Sequence, residues 1–159
     1  MINVSYSYTP IKIIFVCLGN ICRSPMAEYI FKAMASERGM AFEVASAGTS
    51  DEEYGNPVYP PAARMLAAHS IDCSAKRAVQ FTRWDYVHYD YIVCMETRNI
   101  RHLEQRLGGD PHGKLCRLLD FTDHPRDIAD PWYTGDFETA YREIREGCEA
   151  LLSDIIKKG

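Results

Sequence analysis

A buried strand followed at once by a tight loop and a helix is the feature of this sequence that most restricts its fold. Residues 11–16, Ile-Lys-Ile-Ile-Phe-Val, are largely β-branched and apolar, which is typical of a strand covered on both faces. After seven intervening residues, Ser24-Pro25 predicts a helix start with a serine cap and proline at the first helical position. An apolar helical stripe begins at Met26, and Gly39 is expected to end the helix.

The same alternation of strand and helix continues along the chain. Further strands are predicted at residues 42–47, 91–95 and 115–119, and helices from Pro60, over 97–107 and over 137–155. Residues 71–88 are ambiguous, with a short helix around 82–87. We therefore predict an α/β fold: a single three-layer, doubly wound domain with a four-stranded parallel sheet in the flavodoxin-like order 2-1-3-4. Its ligand is expected outside the carboxyl ends of the strands, beside the first strand–helix loop.

Length and composition agree with this fold and exclude several classes of protein. A chain of 159 residues is one domain by size, so we assign residues 1–159 to one domain with residues 1–10 as a short N-terminal extension. At 47% hydrophobic and 25% charged residues, it is neither disordered, collagen-like nor a coiled coil. The net charge of −4 predicts no general attraction to nucleic acid or to an anionic membrane. Any anionic ligand must therefore be bound by a local arrangement of side chains and backbone groups.

The N-terminus and the six cysteines indicate the compartment. The first ten residues lack the basic and apolar regions of a signal peptide, so we expect a cytoplasmic protein. In the cytoplasm, cysteines are more often buried, metal-binding or catalytic than paired in disulfides. No CxxC pair or zinc-finger spacing is present, so we expect no metal. The cysteines then serve as small core residues or include a reactive thiol; they stand at positions 17, 22, 73, 94, 116 and 148.

The loop after the first strand contains the residues of a thiol-based phosphate site. It lacks both common nucleotide-binding glycine patterns, but Cys17 and Arg23 flank five residues that include Gly19 and Asn20, which tolerate left-handed backbone conformations. Such a loop can turn its N–H groups inward around an anion, and the helix N-terminus adds positive charge. These groups would favour the Cys17 thiolate, and Arg23 could grip two phosphate oxygens. Ser24 either donates to the sulfur or only caps the helix. The chemistry indicated is attack of a thiolate on phosphorus, which gives a cysteinyl-phosphate.

Four segments, in this order, resemble motifs of the low molecular weight protein tyrosine phosphatases. The loop Val-Cys-Leu-Gly-Asn-Ile-Cys-Arg-Ser-Pro at residues 16–25 resembles the phosphate-binding loop of that family. The other three are Ser-Ala-Gly-Thr at 46–49 followed by Gly-Asn-Pro at 55–57, Cys-Met-Glu-Thr-Arg-Asn at 94–99, and Asp-Pro-Trp-Tyr at 130–133. Glu96 stands where Asp is more usual.

The resemblance implies hydrolysis of phosphotyrosine without a cofactor. Cys17 would be the nucleophile, Arg23 the clamp on the phosphoryl oxygens, and Asp130 the general acid that protonates the phenolate and then activates water. From its sequence neighbourhood alone, Asp130 could equally be a turn cap before Pro131. The residues expected to bind phosphate or shape the loop are Leu18, Gly19, Asn20, Ile21, Cys22 and Ser24. The implied partners are phosphotyrosine-containing proteins, with a tyrosine kinase among the candidate substrates.

Around this loop the resemblance is less complete. Trp132 and Tyr133 are expected to wall the substrate cleft, and Tyr54 is the candidate for the other wall, where the sequence also carries Asp-Glu-Glu at 51–53. Family members usually have a loop-ordering His in the segment that here reads Ser-Ala-Lys-Arg-Ala-Val-Gln at 74–80. Cys22 is either a redox guard that traps an oxidised Cys17 as a disulfide, as the resemblance implies, or a small buried residue.

Alternative functions share part of the pattern. Arsenate reductases of similar fold need a close pair of downstream cysteines, whereas Cys73 and Cys94 are widely separated. Protein-arginine phosphatases carry Thr where this chain has Ile21, and we expect the bulkier Ile to favour a flat aromatic ring. A flavodoxin-like FMN-binding module or a cysteine phosphocarrier explains neither Arg23 nor Asp-Pro-Trp-Tyr. Phosphotyrosine hydrolysis is therefore the preferred hypothesis.

Overall fold

A computed structural model describes residues 9–159 and shows one parallel sheet between two layers of helices. The strands are β1 (Ile11–Cys17), β2 (Phe42–Gly48), β3 (Tyr91–Cys94) and β4 (Leu115–Arg117). The helices are α1 (Arg23–Glu37), α2 (Pro60–Ala68), α3 (Arg83–His88), α4 (Thr97–Leu107), α5 (Pro131–Thr134) and α6 (Phe137–Lys158), and a 3₁₀ helix spans Leu118–Phe121. Within the described residues, none of these helices is long and apolar enough to span a membrane.

The sheet has the order β2-β1-β3-β4, and every pair of neighbouring strands is parallel. This confirms the predicted order 2-1-3-4 and the α/β fold class. The register places Cys17 beside Gly48 and Val16 beside Cys94, so the carboxyl ends of the three neighbouring strands meet at one edge. The assignment of residues 1–159 to one domain stays a prediction, since most of the proposed extension at 1–10 lies outside the described residues.

Alternating side chains of β1 enter the two halves of the core. Ile13 and Phe15 are buried with α1, α2 and α6, whereas Ile14 and Val16 are buried on the face that includes residues of α3 and α4. This alternation follows from the period of two along a strand, and burial on both faces explains the nearly continuous apolar run. The long helix α6 packs tightly, because a side chain at Gly147 would overlap that of Leu118.

The predicted start of the first helix was wrong by two residues. Helix α1 begins at Arg23, and its N-cap position is Cys22, which makes no side-chain capping hydrogen bond. Ser24 therefore lies in the first turn rather than at the cap, since its hydroxyl contacts the Cys17 sulfur instead. The helix ends at Glu37, and Gly39 follows in a left-handed conformation (φ 64°).

Other differences lie at the carboxyl edge of the sheet. Strand β4 ends at Arg117 instead of residue 119, because the chain enters a 3₁₀ helix at Leu118, which Asp120 caps by accepting from the Arg117 N–H. The loop predicted to run to Gly135 contains helix α5, whose four residues are too few to give an apolar period. The ambiguous segment 71–88 contains the expected short helix, α3, with a capping box between Thr82 and Asp85.

Candidate active site

The loop after β1 forms the floor of a small cleft at the carboxyl edge of the sheet, where the fold predicted a ligand site. The cleft has a volume of about 160 Å³. Most of the residues singled out from the sequence lie here, together with three from the segment after β2. The lining residues are Cys17, Leu18, Gly19, Ile21, Cys22, Arg23, Ser50, Glu52, Glu53, Asp130, Trp132 and Tyr133.

Cys17 ends β1 at the bottom of the cleft and is only 3% exposed. Its Sγ lies 2.9 Å from Ser24 Oγ and accepts a hydrogen bond from the Ser24 N–H at 3.4 Å. Both groups belong to the first turn of α1, where N–H groups have no partner within the helix and favour negative charge. The sulfur is therefore surrounded by groups that can stabilise a thiolate.

Arg23 is fully buried behind the loop, with 1% of its surface exposed. Its Nη1 donates to the Ile128 carbonyl at 2.8 Å, while Nη2 lies 3.3 Å from both Glu96 Oε1 and Asp130 Oδ2. Burial lowers the pKa of Arg23, but the negative charges of Cys17, Asp130 and Glu96 outweigh it and raise the pKa above its ordinary value. The guanidinium is thus a permanent cation held in one orientation.

Asn20 shapes the loop from inside. It adopts a left-handed conformation (φ 59°) and is almost completely buried. Its Nδ2 donates to Ser24 Oγ at 2.8 Å and to Ser46 Oγ at 3.0 Å, and its Oδ1 accepts from the Val79 N–H at 3.0 Å. One side chain therefore joins the loop to the end of β2 and to the 74–80 segment.

The backbone of the loop is anchored by its carbonyl groups. Those of Cys17, Leu18 and Ile21 accept from the N–H groups of Thr49, Ser50 and Tyr59, at 2.9, 3.0 and 2.9 Å. Within the described part of the chain, the N–H groups of residues 18–22 donate to no backbone carbonyl. Unpaired N–H groups at a helix N-terminus are the arrangement that binds a phosphate.

Asp130 is the N-cap residue of α5, which is the turn-cap role that the sequence allowed, and its side chain also lines the cleft. Its Oδ1 accepts from the Trp132 N–H at 3.0 Å and caps the helix, while Oδ2 faces Arg23. The carboxylate lines the cleft and is partly exposed, so it can reach a leaving group above the loop.

Two aromatic side chains wall the cleft, and the third predicted one does not. The ring of Trp132 packs on Tyr59 at a centroid distance of 4.6 Å, and Tyr133 lines the cleft with 76% of its surface exposed. Tyr54 is 72% exposed and is not among the lining residues. Glu52 and Glu53 of the same turn line the cleft in its place.

Cys22 also lines the cleft, but its thiol differs from that of Cys17. Burial, followed by the charges of Cys17 and Asp130, raises the pKa of Cys22 to about 12, so this group is a thiol at neutral pH. The remaining cysteines were expected in the core: Cys73, Cys94 and Cys148 are buried, and Cys116 is half-buried.

Sequence reasoning missed a buried polar group beneath the loop. Glu28 of α1 accepts from Ser46 Oγ at 2.6 Å and pairs with Lys32 at 2.5 Å and with Lys76 at 3.7 Å. Lys76 also donates to the Ser46 carbonyl at 2.9 Å, and burial lowers its pKa despite the opposing charge of Glu28. Lys76 belongs to the 74–80 segment, and the departure of that segment from the family pattern was the only sequence feature that could have indicated its role.

Glu96 is a further residue of the site, to which the sequence motif alone assigns no role. It precedes α4, forms a capping box with Asn99 and pairs with Arg23. Its position in the Cys-Met-Glu-Thr-Arg-Asn segment at the end of β3 could have identified it, since that strand neighbours β1 in the predicted order.

Comparison of the sequence with known proteins gives a consistent result. A sequence model of the family described as "Low molecular weight phosphotyrosine protein phosphatase" matches residues 12–159. The low molecular weight protein-tyrosine-phosphatase YfkJ of Bacillus subtilis is 38% identical over 152 residues, which cover 93% of this chain and 97% of that protein. The PtpA protein-tyrosine-phosphatase of Staphylococcus saprophyticus is 36% identical over 149 residues, 92% of this chain and 95% of its own.

Solved structures agree with this result. The crystal structure of Bacillus subtilis YfkJ superposes with a TM-score of 0.91 at 38% identity, covering 94% of this chain and 97% of that chain. A Drosophila arginine phosphatase is similar at a TM-score of 0.82 and 29% identity, covering 91% of this chain and 98% of its own. The family match over nearly all of the chain and the relatives above 30% identity show that this chain belongs to the low molecular weight phosphotyrosine protein phosphatase family.

Proposed function

We propose that this protein hydrolyses phosphotyrosine in proteins, with Cys17 as nucleophile, Arg23 as phosphoryl clamp and Asp130 as acid and base. The observation that carries the proposal is the convergence of these three side chains on one cleft, with Asp130 Oδ2 3.3 Å from Arg23 Nη2 and the Cys17 sulfur beneath. Membership of the phosphatase family supports the same chemistry.

In the first step, the Cys17 thiolate attacks phosphorus and the bond from phosphorus to the phenolic oxygen breaks. The unpaired N–H groups of residues 18–22 and the Arg23 guanidinium bind the phosphoryl oxygens, whose charge they stabilise in the transition state. Asp130 gives its proton to the departing oxygen, so tyrosine leaves as a neutral phenol. The product is a cysteinyl-phosphate and an Asp130 carboxylate.

In the second step, water attacks the same phosphorus and the bond from sulfur to phosphorus breaks. The Asp130 carboxylate takes a proton from that water, which regenerates the acid and yields inorganic phosphate. The sulfur leaves as a thiolate, stabilised by the Ser24 hydroxyl and N–H that contact it. Asn20 keeps Ser24 and the loop in place through both steps.

The lining of the cleft supports phosphotyrosine as the substrate. Trp132 and Tyr133 provide aromatic surface beside the loop, and Ile21 adds a branched apolar side chain. A flat phenyl ring can stack on the first two and contact the third. A guanidinium group would gain less from Ile21, which offers it no hydrogen bond.

A rate comparison on matched substrates tests this proposal. Phosphotyrosine, phosphoarginine and phosphoserine peptides of one sequence are offered to the protein and to its Cys17→Ser variant, and arsenate reduction is measured in parallel. We expect the phosphotyrosine peptide to be hydrolysed fastest and the Cys17→Ser variant to be inactive while still binding a phosphate analogue. Faster hydrolysis of phosphoarginine, arsenate reduction, or activity of Cys17→Ser would contradict the proposal.

We further propose that the substrates are cytoplasmic proteins, with a tyrosine kinase among the candidates. Phosphotyrosine proteins suit the family, and the thiol chemistry at Cys17 suits a reducing compartment. Trapping with Cys17→Ser from a cell extract, followed by identification of the bound phosphotyrosine proteins, tests this; recovery of a kinase with phosphate on tyrosine is the expected result.

A further inference from the structure

The cleft has an acidic wall beside its aromatic one. The segment after β2 contributes Glu52 and Glu53, while Trp132 and Tyr133 come from α5. Glu52 and Glu53 are not needed to bind the phosphoryl group, because the loop after β1 and the Arg23 guanidinium already form its site. The acidic wall therefore concerns what lies next to the phosphotyrosine.

Glu53 of the acidic wall lies against the phosphate-binding loop. Glu53 Oε2 accepts a hydrogen bond from Asn56 Nδ2 at 2.6 Å, and a Cβ placed on Gly19 would lie only 3.3 Å from Glu53 Cγ. The segment itself is bonded to the loop through the Thr49 and Ser50 N–H groups. The Glu53 side chain thus stays close to the loop instead of moving freely in solvent.

The acidic wall leaves the mouth of the cleft negatively charged. Among the described residues that line it, Arg23 is the only cation, and two carboxylates already lie 3.3 Å from its Nη2. Glu52 and Glu53 have no such partner in the lining. The negative charge of Glu53 acts on the loop itself: after burial and the charges of Cys17 and Asp130, it is a further cause of the raised pKa of Cys22. A peptide entering here meets attraction at the loop and negative potential beside it.

We propose that Glu52 and Glu53 select phosphotyrosine segments that carry Lys or Arg next to the phosphotyrosine and reject segments that carry Asp or Glu there. The inference rests on the proposed function and adds the class of substrate to it. A neighbouring cation gains an ion pair at the wall, whereas a neighbouring carboxylate meets like charge as the phosphoryl group docks.

Matched peptides measure this selectivity directly. Two phosphotyrosine peptides differ only in having Lys or Glu on both sides of the phosphotyrosine, and kcat/KM is measured for each. One exposed charge pair changes a rate by up to about fivefold. Attraction of the Lys peptide and repulsion of the Glu peptide act in the same direction, so we expect the Lys peptide to be preferred about 10-fold at about 0.01 M salt. The preference should fall toward unity at about 1 M salt, where the Debye length is only about 3 Å.

Variants locate the effect. Gln at position 53 keeps the shape and the acceptor for Asn56, so the double change Glu52→Gln and Glu53→Gln should bring the preference within about twofold of unity, and Glu52→Lys should reduce or reverse it. Asp51→Asn is the matched control, since it removes one charge from the same turn outside the lining and should keep most of the preference.

The outcomes separate this inference from the proposed function. Equal rates on both peptides, a preference that survives the double change, or an equal loss in Asp51→Asn would overturn the acidic wall while leaving phosphotyrosine hydrolysis intact. Absence of Cys17-dependent hydrolysis of either peptide would instead refute the proposed function.

Discussion

Replacing Asp130 by Asn is the sharpest test of the assigned acid. Asn keeps the size of the side chain and an oxygen that can accept from the Trp132 N–H, so the cap of α5 at 3.0 Å is retained. What is lost is the proton for the leaving group and the charge that lies 3.3 Å from Arg23. Arg23 keeps its contacts with Glu96 and the Ile128 carbonyl, so the clamp should stay in place.

The expected loss follows from the chemistry of the leaving group. A positioned general acid contributes about 10²–10⁴-fold, which equals roughly 3–5.5 kcal/mol of transition-state stabilisation. The phenol of tyrosine has a pKa of about 10, so its phenolate is a basic leaving group and kcat/KM on a phosphotyrosine peptide should fall near the upper end of that range. 4-Nitrophenyl phosphate releases a much less basic phenolate, so its kcat/KM should fall least.

The assay is a comparison of kcat/KM for a series of aryl phosphates of increasing leaving-group basicity, because kcat/KM reports the first step and not the hydrolysis of the cysteinyl-phosphate that all substrates share. Asp136→Asn is the matched control, because Asp136 caps α6 through the Thr139 N–H at 3.0 Å and does not line the cleft. It should leave kcat/KM unchanged for every substrate. An equal loss across the series, or a loss of less than about tenfold on phosphotyrosine, would refute the assignment of Asp130 as the acid.

Four further predictions test the clamp, the redox guard, the reactivity of the two cysteines and the packing. Arg23→Lys should lower kcat/KM for aryl phosphates by about 10²–10³-fold, since a point charge cannot replace the planar fork; activity near that of the wild type would contradict the clamp. Peroxide should oxidise the Cys17 thiolate to a sulfenic acid, which the Cys22 thiol then converts to a disulfide with loss of water. A dithiol should therefore restore activity in the wild type but not in Cys22→Ser. Restored activity in that variant would exclude the guard role. Iodoacetamide at neutral pH should modify Cys17 rather than Cys22, whose pKa is raised to about 12. Peptide mapping measures the two labelling rates, and faster labelling of Cys22 would contradict this order of reactivity. Gly147→Ala should lower the free energy of unfolding, measured in urea, by about 1–2 kcal/mol. The overlap of the new side chain with buried Leu118 outweighs the gain of about 1 kcal/mol in helix propensity. A stabilised variant would contradict the packing argument.

The fold and the floor of the site were accessible from the sequence because they depend on short-range patterns. A buried strand, a seven-residue segment from Cys17 to Arg23 and a helix are consecutive in the chain, so their spacing limits where the thiol and the guanidinium can lie. Strands alternating with helices leave few topologies, and the order 2-1-3-4 is confirmed. The start of α1 was misplaced because a serine before a proline is a good cap, but here its hydroxyl contacts the Cys17 sulfur.

The partners of the site residues could not be predicted in the same way. Arg23 is oriented by the Ile128 carbonyl and by Glu96, which lie 105 and 73 residues further along the chain. Glu28 and Lys76 meet beneath the loop, although they belong to α1 and to the segment before α3. Such contacts depend on how separate elements pack, and one sequence without related ones carries little signal for them.

The walls of the cleft show the same division. The sequence by itself determined the α/β alternation, the phosphate-binding loop with Cys17 and Arg23, and the family to which the chain belongs, because each is encoded in local order and spacing. Only the tertiary structure decided that Glu52 and Glu53, rather than Tyr54, line the cleft. The physical reason is that hydrogen bonds from distant segments, such as that from the Gly55 N–H to the Ala78 carbonyl, set the orientation of the turn and hence which side chains face the substrate.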